Sequence, residues 1–329
     1  MEAILTSGLQ QGLLYCFMVL GVYITFRVLD FPDLSVDGSL PLGAAVTAAM
    51  IAGGQSPWAA TLAGVAAGLC AGFVTGFLHL LLGLGSSGSA AANYGTKLLA
   101  GILTMTGLYT INLRVMGKSN TPLLGMDGVF EKIEDALGWV MTGWNLIIVL
   151  AVLAVVVKFV IDWFLRTEFG LCLRATGDNE QMIRAMGTNT AVTLIVGLGI
   201  ANALVALTGS LVAQQQGFAD VGMGIGMIVA GLASVIIGQA LLTRGSIPKA
   251  ATAVVIGSVL YRVVIQLALQ AGLNPNDMKL ISATLVVLAL LVPQWRMFSW
   301  LGRRLKETGS AVSGRVEPEG TWVLEEREH

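Results

Sequence analysis

The feature that most constrains the fold of this chain is the recurrence of apolar runs of about 20 residues from end to end. Each run is long enough to cross about 30 Å of hydrocarbon as an α-helix. Charged residues make up only 12% of the 329 residues, against roughly 25% in a typical soluble domain. The sequence therefore predicts an all-α, polytopic membrane protein built as a helical bundle.

Run lengths and the breaks between runs predict about nine membrane spans, within a range of roughly eight to ten. Their approximate ranges are 9–26, 39–52, 58–82, 97–113, 145–165, 190–213, 222–242, 250–270 and 280–292. The second and the last are short for a full crossing, and a broken or half helix is expected near residues 30–40. We assign residues 1–296 to a transmembrane domain, and residues 297–329 to a cytoplasmic tail that is predicted to be disordered.

Basic residues set the orientation of the spans, because cytoplasmic loops carry an excess of Lys and Arg. With the carboxyl terminus inside, loop 166–190 is cytoplasmic and loop 114–144 is outside. The acidic stretch 131–135 in the outer loop predicts a short surface helix. The Gly/Ser/Ala run 83–97 has no core-forming pattern, and it predicts a flexible loop on the inner side.

The stretch DFPDLSVDGSL places Asp30, Asp33 and Asp37 between two apolar runs. Asp33, Ser35 and Asp37 could cap the N–H groups of the helix that follows. Irregular backbone at membrane depth is tolerated only where it is buried in protein or lines a watered cavity. From the residues alone, either a surface loop that caps a helix in water or a polar break beside a cavity fits this stretch.

Several polar side chains interrupt the other apolar runs. Thr104, Thr106 and Asn202 offer neutral hydrogen-bonding groups that could face a pathway or join helices. Arg262 lies near the middle of its span, so it should face the bundle interior and meet an acid or carbonyl groups, most simply in a structural role. The spacing of 158 and 162 permits an i,i+4 ion pair.

Loop 166–190, RTEFGLCLRATGDNEQMIRAMGTNT, carries a short helical pattern of its own. Asp178 can cap a helix with Glu180 in its first turn, apolar residues at helical spacing and a stop at Gly187. Such a helix suits docking into a groove on a partner. A solvated loop that contains one helical turn fits the spacing equally well.

The sequence offers no chemistry of its own. It lacks the phosphate-binding GxxxxGK[ST] motif, and its two histidines are too few for a credible hydrolase set. We therefore predict a non-enzyme with no catalytic residue, no metal site and no cofactor in this chain. The net charge of -1 gives no reason to expect nucleic acid as a partner.

The stretch LRATGDNEQMIRAMGTNT, with the following AVTLIVGLGIANALVALTGSLVA, resembles the cytoplasmic coupling loop of permease subunits of ATP-binding-cassette importers. The resemblance is to the branch that moves branched-chain and aromatic amino acids, with ribose and nucleoside permeases as relatives. GMIVAGLASVIIGQALLTRGSIPKAATAVVIGSVLYRVVIQ, Gly226–Gln266, is similar to a late helix pair of that family. The likeness runs over most of residues 9–291 and is strongest to a tryptophan-like group with a single permease gene.

The resemblance implies roles for two groups of residues. Those expected to couple to the ATPase are Thr176, Asp178, Glu180, Arg184 and Gly187. Because DLSVDGSLPLGAAV resembles the polar break before the family's second span, those expected to line the translocation pathway are Asp33, Ser35, Asp37, Thr104, Thr106 and Asn202.

The resemblance also implies partners and a location. The expected partners are two copies of an ATP-binding subunit, which would bind ATP and Mg, an extracellular or periplasmic substrate-binding protein, and a second permease copy in a homodimer. The location implied is the bacterial inner membrane, and the solute an aromatic or branched-chain amino acid. Three alternatives stay open: a nucleoside or sugar permease, an ion-coupled transporter that uses Asp33 or Asp37, and a membrane assembly or sensor protein without transport activity.

Overall fold

The computed structural model of the chain describes residues 2–83, 90–138, 140, 143–241, 247–270, 280 and 282–287. The chain divides into two units, 1–286 and 287–329, and every element described belongs to the first. The helices are α1 Glu2–Tyr23, α2 Val36–Ala52, α3 Pro57–Gly83, α4 Ala90–Met116, α5 Val129–Leu137, α6 Trp144–Phe164, α7 Glu168–Asp178, α8 Glu180–Ala185, α9 Thr190–Gln216, α10 Met227–Leu241 and α11 Ile247–Gln270. The predicted tail, 297–329, lies outside the described residues.

The predicted class, an all-α polytopic bundle, is confirmed. In the described part of the chain, seven helical segments are long and apolar enough to cross a membrane, and they coincide largely with α1, α3, α4, α6, α9, α10 and α11. Helix α2 has 17 residues and is shorter than a full crossing. The expected number of nine spans is approximate, because the last run, 280–292, is described only at 280 and 282–287.

The expected broken helix lies between α1 and α2. Helix α1 continues into a π-helical turn, Ile24–Val28, and the backbone is then irregular until α2 begins. Pro32 disfavours helical geometry at the residue before it, and Asp30 adopts a left-handed conformation with φ 49°. The break is buried in protein at Phe31, Asp33 and Ser35, as irregular backbone at membrane depth requires.

Helices α3 and α9 lie very close together because four glycines of α3, spaced four residues apart, lie at their contact. A methyl group on these glycines would come within 3 Å of atoms of α9. The residues concerned are Gly64, Gly68, Gly72 and Gly76. Small residues at this spacing let helix backbones approach in membranes, where packing rather than hydrophobic burial drives association.

On the face that the basic residues predict to be outside, two short strands form an antiparallel ribbon. Strand β1, Asn120–Pro122, follows α4, and strand β2, Phe218–Asp220, follows α9. The surface helix predicted at 131–135 is confirmed as α5, with the Glu131 carboxylate accepting from the N–H of Gly128 at 2.9 Å.

The flexible loop predicted at 83–97 is wrong over 90–97, where α4 has already begun. The three alanines at 90–92 are strong helix formers. Lys97 is also held in place, since its Nζ donates to the carbonyl oxygen of Asp30 at 3.0 Å. Residues 84–89 of this prediction lie outside the described residues.

Candidate functional site

Helices α7 and α8 form the polar connection between spans α6 and α9. Thr167 begins α7, where its hydroxyl accepts from the N–H of Gly170 at 3.2 Å. Gly177, near the end of α7, packs against the inner end of the first span, since a Cβ there would overlap the carbonyl oxygen of Val28. A movement of α7 would therefore displace the irregular segment between α1 and α2, residues 29–35 (the hinge).

Helix α8 presents its apolar side chains both inward and outward. Ile183 is buried, whereas Met182 is 50% exposed and Met186 is 73% exposed. The guanidinium of Arg184 donates to the Glu180 carboxylate at 2.6 Å, one turn earlier. The result is a short rod with two exposed methionines, and methionine is a common contact residue on adaptable binding surfaces.

The structure corrects the predicted start of this rod. Asp178 is the last residue of α7, a helix that the sequence interpretation missed, and it does not cap α8. The cap is Asn179, whose Oδ1 accepts from the N–H of Met182 at 2.9 Å. The predicted stop is confirmed, because Gly187 ends the turn with φ 87°, a conformation that most side chains avoid.

The five residues expected to couple to an ATPase are therefore not equivalent. Asp178, Arg184 and Gly187 are exposed, and Glu180 is half-buried. Thr176 is buried inside the α7 packing, where its hydroxyl donates to the carbonyl oxygen of Cys172 at 2.7 Å. A direct contact with a partner is open to the first four but not to Thr176 in this conformation.

Three of the residues expected in the pathway form one buried cluster at the break before α2. Ser35 donates to one carboxylate oxygen of Asp33 from its hydroxyl at 2.6 Å and from its backbone N–H at 2.9 Å. Asn202, on α9, donates to the other oxygen at 2.8 Å. All three residues are 0% exposed. Asp33 is thus inaccessible to solvent in this conformation, and its hydrogen bond to Asn202 holds the hinge against α9.

Asp37 does not cap α2 as the sequence suggested. Its carboxylate instead accepts from the backbone N–H groups of Gly226 at 2.9 Å and Ile228 at 2.8 Å. It therefore caps α10, whose N-terminus carries a partial positive charge. Ser35 stands at the start of α2 without a capping side-chain bond. Asp33, in the break, and Asp37, in the first turn of α2, thus bond to two different spans, α9 and α10.

The threonines of α4 lie apart from this cluster. Thr104 is buried and lines an apolar pocket of about 430 Å³ between α2, α3 and α4. Thr106 is exposed with Tyr109 and Thr110 on one side of α4. Among the described residues, the exposed surfaces of the other spans are mostly apolar through their middle sections. The α4 hydroxyl face, Thr106, Tyr109 and Thr110, is therefore unusual for a surface in contact with lipid.

The outward half of α9 carries two further buried polar residues that the sequence interpretation missed. The Thr47 hydroxyl donates to that of Ser210 at 2.8 Å. Gln214 donates to the Thr61 hydroxyl at 2.9 Å and accepts from the N–H of Val129, at the start of α5, at 2.8 Å. Ser210 and Gln214 lie four residues apart in an apolar span, and this spacing was the feature of the sequence that could have identified them. They link the bundle to the outer surface helix.

Three charged residues within the spans were also predicted to have partners. The ion pair between Lys158 and Asp162 is confirmed. Among the described residues Arg262 meets no acid or carbonyl group, and its guanidinium instead lies 3.6 Å from the ring centre of Tyr15. Among the described residues, no three His, Cys, Asp or Glu side chains lie close enough together to hold a metal ion.

The bundle, its glycine-rich contacts and the exposed rod between α6 and α9 can be compared with known proteins. Residues 4–291 match the family described as the permease component of branched-chain amino acid transport systems. The chain belongs to this family. It is a multi-pass protein of the bacterial inner membrane, and the sequence-based identification of an amino-acid permease of an ATP-binding-cassette system is confirmed.

Three curated relatives illustrate the range of the match. A tyrosine transport system permease protein of Clostridioides difficile (strain R20291) is 43% identical over 85% of this chain and 88% of its own length. An uncharacterized protein of Rickettsia prowazekii (strain Madrid E) is 32% identical over 87% and 96%. An autoinducer 2 import system permease protein of Escherichia coli (strain K12 / DH10B) is 32% identical over 52% and 47%. No solved structure matches the chain significantly.

Proposed function

We propose that this permease imports an aromatic amino acid, with the exposed surface of α8 as the contact for a separate ATP-binding subunit. The observation that carries the proposal is the rod itself, with Met182 and Met186 exposed at the membrane face predicted to be cytoplasmic. Helix α7, next to the rod, packs on the hinge between α1 and α2. Force applied to α8 by the ATPase would reach that hinge.

The transported solute would pass beside the hinge. Asp33, Ser35 and Asn202 close one side of it in this conformation, and Asp37 connects it to α10. A switch between outward-open and inward-open states requires an element with two arrangements. The irregular segment and the first turn of α2 are held by side-chain hydrogen bonds to α9 and α10. They fit that requirement, because these bonds can be exchanged without unfolding a helix.

The proposed assembly has two permease copies, two ATP-binding subunits and a substrate-binding protein outside. ATP and Mg would be bound by the ATP-binding subunits. The α4 hydroxyl face supports a homodimer, since Thr106, Tyr109 and Thr110 would leave lipid for a surface shared with a second copy. In this arrangement Thr104, on the adjacent side of α4, lies behind the shared surface.

The choice of an aromatic solute rests on the relative named a tyrosine transport system permease, which matches 85% of this chain. The family description names branched-chain amino acids, which are the second candidate within the same class. Much of the selectivity is expected in the substrate-binding protein, so the permease itself needs to bind the solute only weakly.

Extraction in a mild detergent tests the proposal. A tagged permease is expected to bring down an ATP-binding subunit in equal numbers. Uptake of L-tyrosine or L-phenylalanine into proteoliposomes, with the substrate-binding protein supplied, is expected to require ATP. A permease that co-purifies with no ATPase, and whose uptake follows a proton or sodium gradient instead, would be an ion-coupled transporter.

A further inference from the structure

A cavity outside the hinge lies between the start of α10, the outer half of α11 and the residues Ser282 and Ala283. Its volume is about 230 Å³, below the roughly 300–1,000 Å³ of sites for drug-sized ligands, so it suits a smaller solute. Most of its wall is apolar, from Ile225, Met227, Ala230 and Ile265. The cavity therefore offers room for an apolar body.

Among the described residues that line this cavity, Arg262 is the charged one. It is 8% exposed, and among the described residues its guanidinium forms no hydrogen bond or ion pair and lies over the face of the Tyr15 ring. Stacking leaves the N–H groups at the edge of the guanidinium without an acceptor in this part of the chain. A buried cation without an anion is costly inside a membrane, so an anion in the cavity would offset part of that cost.

Asp37, a negative group beside the cavity, is already engaged. Asp37 accepts from the N–H of Gly226, which also lines the cavity, and from that of Ile228. That carboxylate therefore neutralises the N-terminus of α10, and none of its recorded bonds goes to Arg262. Tyr261, beside Arg262, donates to the hydroxyl of Ser282 at 2.8 Å, which adds a polar edge to the same wall.

We propose that this cavity binds the carboxylate of an aromatic amino acid through Arg262, with the side chain of the solute against the apolar wall. The proposal rests on the proposed function and deepens it, by giving the permease its own recognition of the solute. A guanidinium binds a carboxylate with two parallel hydrogen bonds, which an amine without a carboxylate cannot form. A phospholipid phosphate presents the same oxyanion chemistry, so the test must separate the two sources.

Ligand protection against phenylglyoxal, which modifies guanidinium groups, tests the proposal on the purified full-length permease. The modification of Arg262 is followed by mass spectrometry of its peptide. L-Phenylalanine and 3-phenylpropionate, which both carry a carboxylate, are expected to slow it, whereas 2-phenylethylamine is not. Arg184, which is exposed on α8, serves as the internal control and should react at the same rate throughout.

Equal modification rates of Arg262 with and without L-phenylalanine would overturn the proposal. Protection by phosphatidylglycerol micelles, with none by L-phenylalanine, would make this a lipid site and overturn it as well. Because no ATPase is present in this assay, its result is independent of whether the ATP-binding subunit has been identified correctly.

Uptake gives a second measurement. Arg262→Gln is expected to lower uptake of L-phenylalanine by about 10- to 100-fold, the loss of a hydrogen-bonded charge pair. Arg262→Lys, which keeps the charge, should retain more uptake than Arg262→Gln. Both variants should still co-purify with the ATP-binding subunit. Unchanged uptake in Arg262→Gln, in a preparation whose wild type is ATP-dependent, would contradict the inference while leaving the proposed function intact.

Discussion

Gly43→Leu is expected to prevent the permease from forming a stable bundle. A Cβ at Gly43 would overlap the carbonyl oxygen of Ala206 on α9, and one at Gly209 would overlap that of Leu40 on α2. Because the obstacle is backbone, no rotamer change can relieve it, and α2 and α9 would have to separate. The expected cost is about 3 kcal/mol or more, at the upper end for overpacked sites. Thermal unfolding in detergent, followed by size-exclusion chromatography, measures it.

Gly95→Leu is the matched control. Gly95 also lies in a membrane helix, α4, but nothing is within 4 Å of a Cβ built there. This variant should insert and unfold close to the wild-type temperature. Equal unfolding temperatures for Gly43→Leu and Gly95→Leu would show that the contact between α2 and α9 is not as tight as described.

Gly187→Leu is expected to abolish uptake while the subunit stays inserted. The glycine has φ 87°, so a leucine costs about 1–2 kcal/mol in the left-handed conformation. That cost is small for the bundle but large for α8, a helix of six residues that ends here. We expect the end of the rod to unwind and the exposed Met186 to move away from the ATPase. ATP-driven uptake into proteoliposomes measures the loss.

Gly187→Asn separates the effect of conformation from that of glycine itself, because asparagine tolerates the left-handed region. This variant should keep much of the uptake. Wild-type uptake by Gly187→Leu, at equal insertion, would remove the reason for assigning α8 to the coupling contact.

Local patterns in the sequence were enough to predict the spans, the break before α2 and the end of α8. The break depends on Pro32 and its neighbours, and the stop depends on Gly187. Each of these is a property of a few consecutive residues. The start of α8 was misplaced by one residue because Asp178 and Asn179 are both good caps, and the unrecognised helix α7 extends through Asp178.

The partners of the polar residues could not be predicted in the same way. Asp37 caps a helix 189 residues further along the chain, and Asn202 reaches Asp33 across 169 residues. Such pairs depend on which helices pack together, and local patterns in a single sequence do not show this. Arg262 illustrates the same point, since burial in a span predicted an acid or carbonyl groups as its partner, whereas the bundle places an aromatic ring beside it.

The central claim is that the exposed surface of α8 is the contact for the ATP-binding subunit, and cysteine cross-linking from α8 tests it most directly. The native cysteines, Cys16, Cys70 and Cys172, are replaced first, and Met182→Cys and Met186→Cys are then made separately. Leu124→Cys, 84% exposed in the loop predicted to be outside, is the control. Both α8 variants should cross-link to the ATP-binding subunit in the assembled transporter, and Leu124→Cys should not. Cross-linking from neither α8 position, or labelling of either by a membrane-impermeant thiol reagent added to intact cells, would contradict the account.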